Sequence, residues 1–186
     1  MKSSNDIQPD DLRSYLLGAM HDGTTRRWTL RISQREEEYV IFLKSLILAK
    51  GRRAWTYREG LSRNLYVVEF AKRFLEGHRI RTRRETIHYV RGYFDAEGSV
   101  ASPRASNPYL YFGQKDRLDL EELRSFLGEL NVRCGIIHNP SRRVDPEYWR
   151  FFVSHDSLAR FATVVGSWHP RKAVWLSGVL NRVRQT

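Results

Sequence analysis

Twice in this chain an apolar helical pattern runs into an acid followed by glycine: Leu16-Leu17-Gly18-Ala19-Met20-His21-Asp22-Gly23, then Val90-Arg91-Gly92-Tyr93-Phe94-Asp95-Ala96-Glu97-Gly98. The landmarks that follow recur as well. Asp22 corresponds to Glu97, Gln34 to Gln114, Arg53 to Arg133 and Glu69 to Ser154, at separations growing from 75 to 85 residues. A diverged duplication with loop insertions produces this pattern, and it restricts the fold to two copies of one supersecondary unit.

The elements within each copy follow from periodicity. After Pro9, Asp10 suits a helix N-cap, and Leu12, Leu16, Ala19 and Met20 form one helical stripe. Arg27–Ser33 alternates, which predicts a strand with Trp28, Leu30 and Ile32 inward and Arg27, Thr29, Arg31 and Ser33 outward. A helix over 35–50 follows, then strands over 53–58 and 64–70 joined at Glu59-Gly60, and a short helix over 71–77. In the second copy a helix through Ile87, Val90 and Phe94 precedes a strand over 107–114. The stripe Leu120, Leu123, Leu127 and Leu130 comes next, then a hairpin of 133–139 with 148–155, and helices over 156–167 and 171–184. The reading is α+β: two pseudo-symmetric αββαββα units, residues 11–80 and 84–184, about a pseudo-two-fold axis in one monomeric molecule. The 186 residues suffice for one domain or two half-size units sharing a core.

Charge narrows the partner. The 32 basic residues, 26 Arg and 6 Lys, against 21 acids give a net charge of +11. They are spread along the chain, which predicts a folded basic surface, and arginine suits phosphates and guanine edges. A polyanion is the expected partner. No run of about 18 apolar residues is present, so no membrane span is expected. Met1–Asp11 has neither a basic n-region nor an apolar core, so no secretory leader is expected either. Cys134 has no second cysteine to pair with, which fits a soluble, intracellular protein.

The segment Val90–Val100, with its glycines six positions apart and an acid before the second, resembles the signature of the LAGLIDADG homing endonucleases. The Leu16–Gly23 helix end, the αββαββα order and a glutamine closing each following strand extend the resemblance over about residues 11–184. It is similar to the single-chain, two-motif branch, of the archaeal or organellar intron-encoded type. The resemblance implies a saddle whose antiparallel sheets face double-stranded DNA, and site-specific hydrolysis of both strands. Small residues Gly18, Ala19 and Gly92 would let the two motif helices pack closely, bringing Asp22 and Glu97 together. Neighbouring carboxylates need a cation between them, and hard oxygen ligands favour Mg²⁺ or another divalent ion. Gln34 and Gln114 match family positions that order solvent near the scissile phosphate, and as polar strand ends they equally suit turns. Arg83, Arg84, His169, Arg171 and Lys172 are the candidates for basic groups near the phosphate.

DNA-contact candidates are Arg27, Thr29 and Arg31 by alternation, Arg58 and Arg63 beside the first hairpin turn, and Arg104 and Ser106 after the second motif. Arg142, Arg143 and Arg150 serve the second hairpin. For any one of these arginines a phosphate contact is commoner than base readout. Trp28, Trp55, Tyr57, Trp149 and Trp175 are expected in the core, as is Cys134 on an alternation with Ile136. The same fold without cleavage, as an RNA maturase or a DNA-binding protein, is the alternative reading. The first motif has its glycines five apart instead of six, so either its helix shifts register, with Leu17 at the packing position, or its last turn tightens.

Overall fold

A computed structural model describes residues 7–60, 64–101 and 108–183. Arg63, Arg104 and Ser106 lie outside the described residues. The chain divides into two compact units, the first running to Ala96 and the second starting at Glu97.

The first unit runs α1 (Pro9–Ala19), β1 (Gly23–Thr25), β2 (Thr29–Gln34), α2 (Glu37–Ala49), β3 (Ala54–Glu59) and β4 (Leu65–Ala71). A 3₁₀ turn over Lys72–Phe74 stands where a short helix was expected. The unit closes with nearly all of α3 (Arg83–Glu97). Gln8, not Asp10, caps α1: Pro9 occupies the first helical position, and the Gln8 N–H donates to the Asp11 carboxylate at 3.2 Å. The sheet is antiparallel in the order β1-β2-β4-β3. Leu30, Ile32, Val68 and Phe70 share the face against α2, whose Val40, Leu43 and Ile47 are fully or almost fully buried.

In the second unit β5 (Gly98–Val100), β6 (Leu110–Gln114) and β7 (Trp149–Phe152) form one antiparallel sheet. It packs on α4 (Arg117–Glu129), and α5 (Leu158–Val164) and α6 (Pro170–Val183) follow. Asp116 caps α4 by accepting the Leu118 N–H at 2.9 Å, and all four leucines of the predicted stripe are buried. Residues 133–139 do not form the expected regular strand. They pair with the β7 edge at two isolated bridges, Cys134 with Val153 and His138 with Arg150. Four residues separate the bridges on one side and three on the other, so the segment is bulged. The bulge breaks the expected alternation: Ile136 is exposed and Cys134 half-buried, its thiol pushed up to about 12 mainly by burial.

Two aromatics depart from the expected core. Strand β2 begins only at Thr29, and Trp28 is 72 % exposed, forgoing roughly 3 kcal/mol of apolar burial. Trp55 on β3 is also exposed, Tyr57 and Trp149 are half-buried, and Trp175 is buried as expected.

Helices α1 and α3 touch backbone to backbone inside the first unit. A Cβ on Gly18 would sit 2.1 Å from the Tyr89 carbonyl oxygen, and one on Gly92 would sit 1.9 Å from that of Tyr15. No side chain fits at either point. Gly18 thus holds the packing position despite the short first motif, and Leu17 does not take it. The deficit falls on the last turn, which tightens to 3₁₀ over Met20–Asp22, whereas α3 stays α-helical to Glu97. Gly92→Ala and Gly18→Ala should each cost about 2–3 kcal/mol or more, because backbone must move. Chemical denaturation of the two variants measures this, and a control Gly128→Ala, in open space on α4, should cost nothing.

Candidate active site and nucleic-acid interface

The tightened turn at the end of α1 leaves Asp22 exposed, and β2 brings Gln34 to it: the Gln34 Nε2 donates to Asp22 Oδ2 at 3.4 Å. His21 points back into the helix crossing, 2.7 Å from the Tyr89 hydroxyl and with its ring 4.1 Å from that of Tyr93. The turn is therefore anchored to α3 through its middle residue, and its acid faces solvent.

Behind the second acid lies a buried carboxylate that the sequence reading passed over. Asp95 is 1 % exposed and accepts the Tyr15 hydroxyl at 2.6 Å, and the Tyr15 and Tyr39 hydroxyls lie 2.5 Å apart. One acid thus ties α3 to α1 and α2. Burial, and after it the Asp95 charge, pushes both phenols well above their usual range. The signal was in the motif, an acid two residues before Glu97, but its tyrosine partners stand 56 and 80 residues away. Nearer the start of these helices, Arg84 pairs with the buried Asp11 carboxylate at 2.6 Å.

Glu97 is half-buried where α3 meets β5. Tyr148 comes within its electrostatic reach; burial raises that phenol first, with contributions from Tyr111 and from the Glu97 charge. Gly113 makes room for it, since a Cβ there would meet the Tyr148 hydroxyl at 2.2 Å. Gln114 differs from Gln34. Its Oε1 accepts the Lys115 N–H at 2.8 Å, so its carbonyl serves its own turn. His169 and Lys172, at the start of α6, are 1 % and 5 % exposed, and Arg171 between them is exposed.

Asp22 and Glu97 each present hard oxygen donors. Among the described residues no three His, Cys, Asp or Glu side chains gather into a self-contained metal site. Each carboxylate by itself is a hard donor of the kind that suits a divalent ion keeping several waters, as Mg²⁺ does.

The sheets carry different polar faces. Register places Thr29, Arg31, Trp55, Tyr57, Glu59 and Glu69 together on the side of the first sheet away from α2. That side was expected to be open. Instead Arg31 is only 9 % exposed and donates to Glu59 at 2.7 Å, with its guanidinium 5.6 Å from the Tyr57 ring. Glu69 accepts Thr29 at 2.5 Å and Tyr57 at 2.8 Å, and Arg26 lies 3.8 Å away. Arg58 is exposed but shares the opposite side with Tyr66 and Gln34. In the second sheet Arg150 lies over Tyr111 and Phe152, its Nε 3.5 Å from His138 Nε2. Arg142 and Arg143 are exposed in the turn between Pro140 and Pro146.

The Glu69 carboxyl lies below its usual value near 4.5: burial, its largest single influence, raises it, but the Thr29 and Tyr57 hydrogen bonds and two arginines outweigh burial. A depressed carboxyl stabilises the fold fully above that usual value and less as pH falls through its folded-state value. Glu69→Gln should therefore destabilise by about 1–3 kcal/mol at neutral pH. Denaturation at a series of pH values should find the difference shrinking below pH 4.5.

Comparison with known proteins finds one family model and several solved structures. Residues 84–166 match the model of a LAGLIDADG-like domain. I-DmoI in complex with DNA and Mn superposes with a TM-score of 0.65 at 19 % identity, covering 86 % of this chain and 98 % of that one. Full-length DUF199/WhiA from Thermatoga maritima gives 0.67 at 17 % identity, covering 94 % of this chain and 61 % of its own length. The N-terminal LAGLIDADG domain of DUF199/WhiA gives 0.66 at 16 % identity, covering 86 % and 82 %. No curated protein sequence matches the chain. The fold is thus that of the LAGLIDADG proteins, and among the described residues no helix is long and apolar enough to cross a membrane.

Proposed function

We propose, for a chain that carries a LAGLIDADG-like domain and shares the fold of I-DmoI, a divalent-metal-dependent endonuclease that hydrolyses both strands of double-stranded DNA at a specific site. The finer reading is an intron-encoded homing endonuclease acting as a monomer, with residues 11–80 and 84–184 as repeats of one unit. The observation that supports it most is the glycine-to-glycine crossing of two helices that each run into an acid, Asp22 with Gln34 upon it and Glu97. I-DmoI is known in complexes with DNA and Mn and with DNA and Ca, and this reading gives the present chain the same classes of partner.

Asp22 and Glu97 would hold the cation. Bound there, it would supply water of lowered pKa and neutralise charge on the departing oxygen. Gln34 orients the Asp22 carboxylate through its amide. Asp95, locked on Tyr15, fixes the end of α3 and so the direction of Glu97. Of the basic candidates, Arg27, Arg142 and Arg143 are exposed and ready for phosphates, and Arg150 is held on an aromatic base. Arg31 and Thr29 would have to exchange glutamate partners for DNA.

A second reading, a DNA-binding protein without cleavage, draws on Gln114, whose carbonyl is taken up by its own turn. A site recovered from a random DNA library and placed in a supercoiled plasmid separates the two. With Mg²⁺ the endonuclease linearises the plasmid, and binding without any cut supports the second reading. Glu97→Gln should abolish cleavage and keep binding within about tenfold, because the acid serves the metal. Asp22→Asn should spare the first nick more, since Asp22 stands on a 3₁₀ turn and is one methylene shorter, so nicked plasmid accumulates before linear. Affinity should fall with salt at a log–log slope steeper than about −3, as several phosphate contacts release counterions.

A further inference from the structure

Hairpin β1–β2 closes through the Arg26 N–H, which donates to the Thr29 carbonyl at 2.8 Å and leaves Arg27 and Trp28 at the tip. A second backbone bond, from the Lys72 N–H to the Trp28 carbonyl at 3.0 Å, pins the tip to the end of β4. On this braced turn Trp28 is the most exposed of the five tryptophans, and the Arg27 guanidinium lies 5.0 Å from its ring centroid. Lys72, joined to the tip through its own N–H, and Arg73 after it add positive charge beside it. A large flat apolar ring held in water by rigid backbone among cations suits a partner that offers flat apolar surfaces beside fixed negative charge. Nucleic acid offers both, base faces and phosphates.

We propose that Arg27 and Trp28 form a wedge at the tip of the first hairpin, Trp28 stacking on a base at an opened step of duplex DNA while Arg27 engages the adjoining phosphate. The inference rests on the DNA-binding reading above and adds to it a contact made by shape and deformability. Base-edge readout plays no part in that contact. The exposed, basic tip supplies charge that the paired face of Arg31, Glu59 and Glu69 does not.

The test follows tryptophan fluorescence of the full chain during titration with a mixed-sequence duplex in EDTA, where no cleavage occurs. Stacking on a base quenches an indole, so the wild-type signal should fall and most of that fall should vanish in Trp28→Phe. Trp28→Ala should bind about tenfold more weakly with an unchanged salt slope, since the ring neutralises no phosphate. Arg27→Ala should make the slope shallower by about 1. Equal quenching in wild type and Trp28→Phe while duplex is bound, or full affinity in Trp28→Ala, overturns the wedge and leaves the endonuclease reading standing. A fluorescence change with phosphatidylserine vesicles but none with duplex assigns the tip to a lipid surface and overturns it as well. Absence of any duplex binding overturns both readings. Trp28 packs little, so melting temperatures of the variants should match wild type and exclude misfolding as the cause.

Discussion

Everything in the first unit is referred to one close approach, α1 against α3 at Gly18 and Gly92. There the peptide backbones themselves are the packing surface, because a β-carbon at either point would lie about 2 Å from a carbonyl oxygen. The contact removes side-chain adjustment as a way of absorbing error. A sequence one residue short in its first motif therefore cannot slide the helix, and the discrepancy is driven to the helix end as a 3₁₀ turn. The acid carried on that turn inherits a different backbone from its counterpart at the end of α3. Hydrogen bonds on both sides, His21 to Tyr89 and Tyr15 to Asp95, hold the two ends once the glycines have set the distance.

Much of this is legible in the sequence because backbone packing demands a specific residue type. Gly18 and Gly92 declare themselves by spacing, and the helices and most of the strands follow from period. What was not legible depends on partners distant along the chain or on turns without a marker. Arg27–Ser33 alternates without a break, and the turn through Arg27 and Trp28 uses no Gly, Asn or Pro, so a hairpin tip reads as strand and an exposed tryptophan as core. Ile136 misleads for the opposite reason: alternation holds in the letters, but one extra residue between Cys134 and His138 alters the backbone that carries it. Asp95 looks like its neighbour Glu97 in a string, and only Tyr15 and Tyr39 show that Asp95 is locked in the core while Glu97 stays half-buried.

The sheets also diverge in what they offer a partner. Two glutamates on the first neutralise Arg26 and Arg31 in place, so part of a strongly basic composition is spent within the protein. The second has no such acids on its corresponding strands: Arg150 rests on Tyr111 and Phe152, a charge on an aromatic base instead of an ion pair. Ion pairing orders a guanidinium by direction and weakens its pull on phosphate, whereas an aromatic support orders it and leaves its charge undiminished.

The bulged segment at residues 133–139 bears on what the sheet edge offers to another copy of the chain. A regular strand along β7 would present a straight row of unused amides to any other copy. The offset between the Cys134 and His138 bridges breaks that row, and the opposite border of the same sheet, β5, is only three residues long. On the first sheet β1 is equally short, and the outer strand β3 carries Arg58 and Glu59 near its end. Among the described residues neither sheet offers a long, flat, uncharged border on which a second molecule could template its own strands, even though aromatic side chains such as Trp28 and Trp55 stand in water.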